Sequence, residues 1–407
     1  MALHVFHVYD YKLNFYKKDA QSYQKIGITM LGLYVHVPFC KKICDYCDFH
    51  AFPAPEWLKL EYLDLIQAEV SAFAERHPGV FSRVETVYVG GGTPSMLSPE
   101  QMARLFGIFA DAGVRLGSLR EATFEFNPES CDAERLSVAQ EFGITRASLG
   151  LQSLHQRLLD RVGRHHEVQT GMRALDLLLS GKNLRVNADL MFDLPGQTLE
   201  DLLHDVERLA GSGVGHISLY GLKVDPTRRL GIRVSKGLET VNEDLYAEMY
   251  LKSVKMLEKC GFSRYETSNF ARSGEESLHN LNYWKRGEYL AFGPSAHGFY
   301  EGVRFYAPER YAKWRDYVKN GCPREGLSLD VLGPDDVAAE YIQLSLRTKY
   351  GMPLEGLKAL GFAIAGDSLR KWENRGFVEV KDGCVRLVGE GWLFMDTVVL
   401  DFYSNLE

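Results

Sequence analysis

From Gly32 onward, short β-rich runs alternate with amphipathic stretches of helical period, and this alternation constrains the fold more than any other feature. Strands joined by helical crossovers lie parallel in one sheet whose faces the helices cover. The pattern predicts strands near 32–37, 84–89, 121–126, 145–151, 184–190 and 215–221. Two of the intervening helices carry clear start signals. Ser98-Pro99-Glu100-Gln101 offers an N-cap, a proline at the first helical position and a capping-box amide. Thr198 with Glu200 and Asp201 puts acids at the positive end of another.

Six such repeats make most of a (β/α)8 barrel, so the predicted class is α/β, a partial (β/α)6 TIM-like barrel over 30–240. In barrels of this kind chemistry gathers where the strands end. Cys40 follows the first strand here and Gly90-Gly91-Gly92-Thr93-Pro94 the second. Glu125 closes the third, Gln152 the fourth, and Asp189 and Tyr220 fall late in the fifth and sixth. Chance would scatter such residues over both rims.

After about residue 240 the rhythm changes. A helix near 243–260 leads to an extension, 241–330, that contains His279-Asn280-Leu281-Asn282-Tyr283-Trp284 and, later, His297. Residues 331–407 read as helices followed by a hairpin turning at Asp382-Gly383, a mostly helical, winged-helix-like module. It shows no basic recognition helix. Residues 1–29 lack the order of a signal or transit peptide, and Met30 is a second candidate start.

Cys40, Cys44 and Cys47 place three thiols in eight residues. A structural zinc takes four ligands and a disulfide two. A [4Fe–4S] cluster normally takes four thiolates, so three leave one iron open to a small molecule. On spacing alone, a zinc site completed by Asp48 or His50, or plain buried cysteines, stay open. Seven cysteines with three clustered do not form a secreted disulfide framework and point to a reducing cytosol. The net charge of −7 gives no footprint for nucleic acid, and no apolar run reaches the roughly 18 residues of a membrane span.

Glu125 and Asp189 are acids inside apolar strands, where burial is costly without partners. Gln152 and Arg164 are equally poor surface choices in their contexts. The triple glycine lets backbone approach a ligand closely. His165-His166 suggests a metal, but adjacent histidines face different ways. The segment 279–284 supplies a histidine, amides and aromatics, which suit a haem or a packed aromatic loop.

The CxxxCxxC spacing resembles the radical S-adenosylmethionine (SAM) signature. With YVHVPFCKKICDYCDFH, YVGGGTPSML, FEFNPES, ASLGLQSLHQRLLDRVGRHH, NADLMFDLPGQT and HNLNYWKRGEYLAFGPSAHG, the chain resembles the HemN/HemW branch of that superfamily from about residue 31 to its end. The resemblance implies that Cys40, Cys44 and Cys47 ligate a [4Fe–4S] cluster. It implies that Tyr34, Gly90, Gly91, Gly92, Thr93, Glu125, Gln152, Arg164 and Asp189 hold SAM, with Tyr46 beside the adenine. The oxygen-independent coproporphyrinogen III oxidases of the branch carry a further cysteine two residues after the third ligand, where this chain has Phe49. The HNxxYW stretch instead matches the HemW-type haem chaperones, with His279, Tyr283 and Trp284 as candidate haem contacts and His297 as an alternative. The expected function is therefore a cytoplasmic haem chaperone. The oxidase, or a SAM-dependent methyltransferase, is the rival reading. Candidate partners are haem, haem-acceptor proteins (membrane-bound ones included), an electron donor for the cluster and a second copy of the chain.

Overall fold

The computed structural model describes residues 30–241 and 243–407, so the expectation for 1–29 lies outside the described residues. All six expected strands form, as β1 (Leu31–Val37), β2 (Val84–Gly91), β3 (Glu121–Phe126), β4 (Arg146–Gln152), β5 (Arg185–Phe192) and β6 (His216–Gly221). Each neighbouring pair runs parallel, with Tyr34 opposite Tyr88, Glu125 opposite Ser148 and Asp189 opposite Ser218.

The rest of the sheet comes from beyond residue 240. These strands are β7 (Ser263–Arg264), β8 (Asn269–Ala271), β9 (Tyr289–Phe292), β10 (His297–Tyr300), β11 (Val303–Tyr306) and β12 (Ser328–Val331). The twelve-stranded order is β12-β11-β10-β9-β1-β2-β3-β4-β5-β6-β8-β7, and it does not close. Strand β9 joins β1 in parallel, whereas the outer strands at both edges are antiparallel.

The pleat divides the residues into two kinds. Leu33, Val35, Val87, Val89, Phe124, Leu149, Ala188 and Leu219 face the outer helices and form the main apolar core. The alternate positions, Thr86, Tyr88, Thr123, Glu125, Ser148, Asn187, Asp189, His216 and Ser218, line a polar interior. The helix Pro99–Asp111 is capped by Ser98 with Gln101 closing the capping box, and Leu199–Ala210 by Thr198 with Asp201.

The C-terminal portion contains the helices Pro334–Leu346, Leu354–Ala359, Gly366–Asn374 and Met395–Ser404. They pack with β13 (Met352–Pro353), β14 (Val378–Lys381) and β15 (Cys384–Leu387), ordered β13-β15-β14. The β14–β15 hairpin turns at Asp382 (φ 52°) and Gly383 (φ 73°), the two left-handed residues a tight hairpin needs. No helix among the described residues is long and apolar enough to cross a membrane.

Candidate functional site

The loop after β1 is held at its base and along its length. A bridge joins Phe39 to Phe52, and the Cys40 amide donates to Phe52 O at 3.1 Å. Asp45 receives an ion pair from Arg233, and its amide donates to Val162 O at 3.0 Å. Cys40, Cys44 and Cys47 are thereby gathered at the mouth of the polar interior as free, half-buried thiols. Cys40 Sγ lies 3.3 Å from Thr93 Oγ1. Burial pushes the Cys47 thiol up to about 12 and also raises Cys40. A bound cation reverses that cost by stabilising thiolates.

Arg164 reaches the loop from the segment after β4, with Nη1 3.6 Å from Cys44 Sγ and Nη2 2.6 Å from Asn127 Oδ1. Gly163 permits this approach. Its backbone is left-handed (φ 71°), and a Cβ there would lie 2.9 Å from Asp45 Oδ1. The Arg164 Nε is buried with no hydrogen-bond partner, a donor left for a ligand.

The glycine loop lies beside the start of the cysteine loop, with the Thr93 amide donating to Phe39 O at 2.7 Å. A Cβ on Gly92 would lie 2.8 Å from Phe39 O. The Gly91 amide donates to Glu125 Oε2 at 3.2 Å. Burial raises the Glu125 carboxyl although Tyr88 and Gly91 donate to it. Burial also raises Asp189, against hydrogen bonds from Ser218, Asn187 and Ser148. Gln152 has φ 70°, unusual for a residue with a side chain, where the β4–β5 register shifts. That irregularity places its amide at the cleft.

One open cleft thus brings together Cys40, Cys44, Cys47, Tyr46, Gly91, Gly92, Thr93, Glu125, Gln152, Arg164 and Asp189. Its empty space, open solvent at the mouth included, is about 1230 Å³. Gly90 and Tyr34 stand behind this lining. Gly90 packs on Tyr88 and Glu125, and Tyr34 OH lies 3.0 Å from His36 Nδ1. Asn127, Tyr88 and Asp45 were not singled out by sequence reasoning, because their partners are distant in the chain.

The HNLNYW segment forms the helix Leu278–Trp284, capped by Ser277. It packs against the starts of β1, β2 and β3, the end of the barrel opposite the cysteines. His279 is fully buried, with Nδ1 2.9 Å from Thr86 Oγ1 and Nε2 2.7 Å from Tyr283 OH. Burial lowers its pKa to about 4, so the ring is neutral. Trp284 lines a second cleft, whose empty space, open solvent included, is about 1340 Å³, and Asn280 lines both clefts. This cleft shares Tyr46, Cys47, Phe49, Met191, Tyr220 and Asn280 with the first. Lys223, Tyr246, Asn269 and Arg347 complete its far side. Trp284 Nε1, Arg347 Nε and Asn269 Oδ1 are buried there without hydrogen-bond partners. His297 lies apart on β10, edge-on to Tyr306 at 4.4 Å between ring centroids.

Residues 34–209 match the Radical SAM superfamily model. The heme chaperone HemW of Bacillus subtilis is 35% identical over 391 residues, covering 93% of this chain and 100% of that protein. HemW of Mycobacterium tuberculosis is 33% identical over 379 residues, covering 90% and 93%. The chain belongs to the HemW family. The solved coproporphyrinogen III oxidase HemN of Escherichia coli superposes with a TM-score of 0.80 at 20% identity, covering 94% of this chain and 92% of that one. The HemW-family chain therefore shares the oxidase's fold over nearly its whole length.

Proposed function

We propose that this chain is a haem chaperone, which binds haem and passes it to acceptor proteins in a reducing cytoplasm. The observation that carries the reading is the second cleft. Its aromatic walls, Tyr46, Tyr220, Tyr246 and Trp284, suit a flat macrocycle, and Lys223 and Arg347 suit propionates. The unpartnered Arg347 Nε and Trp284 Nε1 are donors in want of an acceptor. On this reading Asn280 and Trp284 of the HNLNYW helix meet haem, while His279 and Tyr283 hold that helix in place.

The first cleft fits a [4Fe–4S] cluster with SAM. Its three thiols leave one iron open, the glycine loop leaves no room for a Cβ, and Arg164 keeps a spare donor. Cys40, Cys44 and Cys47 would ligate the cluster. Gly90 to Gly92, Thr93, Glu125, Gln152, Arg164 and Asp189 would hold SAM, with Tyr46 beside it and Tyr34 supporting from behind. Bound together, cluster and SAM supply one-electron chemistry, for which the chain needs a reductant as partner. Tyr46 and Phe49 give the first cleft an apolar wall, and hydrogen bonds keep Glu125 and Asp189 oriented. Phe49, on the wall shared by both clefts, offers no thiol to a porphyrinogen.

The test is product analysis. Cluster-loaded protein is incubated anaerobically with SAM, reductant and coproporphyrinogen III. The chaperone reading expects the porphyrinogen to be recovered intact, and formation of protoporphyrinogen would overturn it.

A further inference from the structure

Outside both clefts, the loop after β4 meets the helix Leu199–Ala210 through a cluster of unlike ligand groups. Asp205 is fully buried on that helix. Its Oδ2 accepts from Ser153 Oγ at 2.7 Å and from the Leu154 amide at 3.1 Å. Its Oδ1 accepts no hydrogen bond. That oxygen faces His155 Nε2 at 3.4 Å and His204 Nδ1 at 3.6 Å. One ligand atom from each of the three residues lies within 4.8 Å of the others.

We propose that His155, His204 and Asp205 bind a divalent transition-metal ion of the zinc type.

The distances separate this reading from simple ion pairing. Charge-assisted N–H···O bonds measure about 2.7–2.9 Å, and both imidazole contacts to Oδ1 are longer. Two ligands each about 2.0–2.2 Å from a tetrahedral ion sit roughly 3.3–3.6 Å apart, the spacing of both imidazole nitrogens from Oδ1. The donor set of two imidazoles and one carboxylate suits zinc among the borderline ions. His204 is half-exposed, so solvent can supply the fourth ligand. On its far side, His155 Nδ1 faces Asp201 Oδ1 at 3.7 Å. Its Nε2 also lies 3.3 Å from the Asp201 carbonyl oxygen, the acceptor that zinc would have to displace.

The site would act on the first cleft through position. His155 is three residues beyond Gln152, and Ser153 and Leu154 are bonded to Asp205 in between. A metal here ties the end of β4 to the helix Leu199–Ala210 and fixes the left-handed Gln152. None of His155, His204 and Asp205 lines either cleft.

The test uses cluster-loaded protein, so that the three clustered cysteines are occupied. Zinc is titrated anaerobically against a chromophoric chelator, and melting is followed with and without zinc. The parent should take up one equivalent and melt at a higher temperature with zinc, as a ligand that binds only the folded state requires. His204→Gln and His155→Gln, both at partly exposed positions, should each lower zinc affinity by roughly 10-fold or more and abolish the melting shift. Cobalt should give tetrahedral visible bands in the parent and lose them in both variants. Uptake unchanged in the variants, or no uptake by the loaded parent, would overturn the assignment.

Discussion

The Tyr88 hydroxyl donates to Glu125 Oε1 at 2.6 Å, across the polar interior from β2 to β3. Gly90 lies against both partners. A Cβ at that position would stand 2.7 Å from Tyr88 Cε1 and 2.9 Å from the Glu125 carboxyl carbon. The glycine loop therefore depends on a carboxylate and a phenol that are held together behind it.

Gly90→Ala should displace this pair. Overpacking of this kind costs about 1–3 kcal/mol, and SAM affinity should fall by roughly 10-fold, equivalent to about 1.4 kcal/mol. Cluster loading should be unchanged, since a Cβ at Gly90 meets Tyr88 and Glu125 and no cysteine. Equilibrium dialysis with SAM, alongside the visible spectrum, separates the two effects.

Cys44→Ala should abolish the cluster while leaving the fold. The loop is held by Phe39, Phe52, Asp45 and Arg233 independently of the thiols. Iron content should fall to background and stability of the cluster-free protein should change by less than about 1 kcal/mol. Iron retained at the parent level would remove Cys44 from the ligand set.

Glu266 gives a pH prediction with a definite sign. Burial raises its carboxyl from 4.5 to about 7, against the Ser268 amide, which donates at 3.0 Å. Between these values the folded chain keeps a proton that the unfolded chain has released. Its contribution is therefore full at acid pH and is lost as pH rises through that window. Glu266→Gln should remove this loss, stabilising the protein at pH 8 relative to pH 5 by about 1–3 kcal/mol compared with the parent. Urea unfolding at the two pH values measures it, and an equal pH dependence in both proteins would contradict the burial argument.

Arg347→Met keeps the aliphatic stem and removes the guanidinium that lies 5.6 Å from the Trp284 ring centroid. Charged hydrogen bonds contribute about 1.5–3 kcal/mol, so haem should bind at least roughly 10-fold more weakly. A haem whose propionates are esterified should bind parent and variant alike. Equal loss for both haems would show that the arginine acts through packing.

Much of this organisation is legible in the sequence because it is local. The six β1–β6 runs alternate with helical stretches, and Ser98, Thr198 and the Asp382-Gly383 turn carry their signals within a few residues. The cysteine spacing and glycine loop are equally compact. Long-range pairing is not visible in this way. Nothing near His279 shows that Thr86, 193 positions away, occupies its Nδ1, or that β9 lies parallel to β1. The HNLNYW run accordingly reads as one surface, whereas the helix turns His279 inward and Asn280 and Trp284 to the second cleft. Polar residues recur at alternate positions of β2 to β6, Thr86 and Tyr88 or Asn187 and Asp189 for example, and that period of two marks a polar barrel interior.

The most direct measurement is an anaerobic haem titration of the cluster-loaded protein, followed by addition of an apo haem-binding protein. Binding should saturate at one haem per chain, more weakly in Arg347→Met, and that haem should move to the added acceptor. No saturable haem binding, or haem held without transfer, would contradict it.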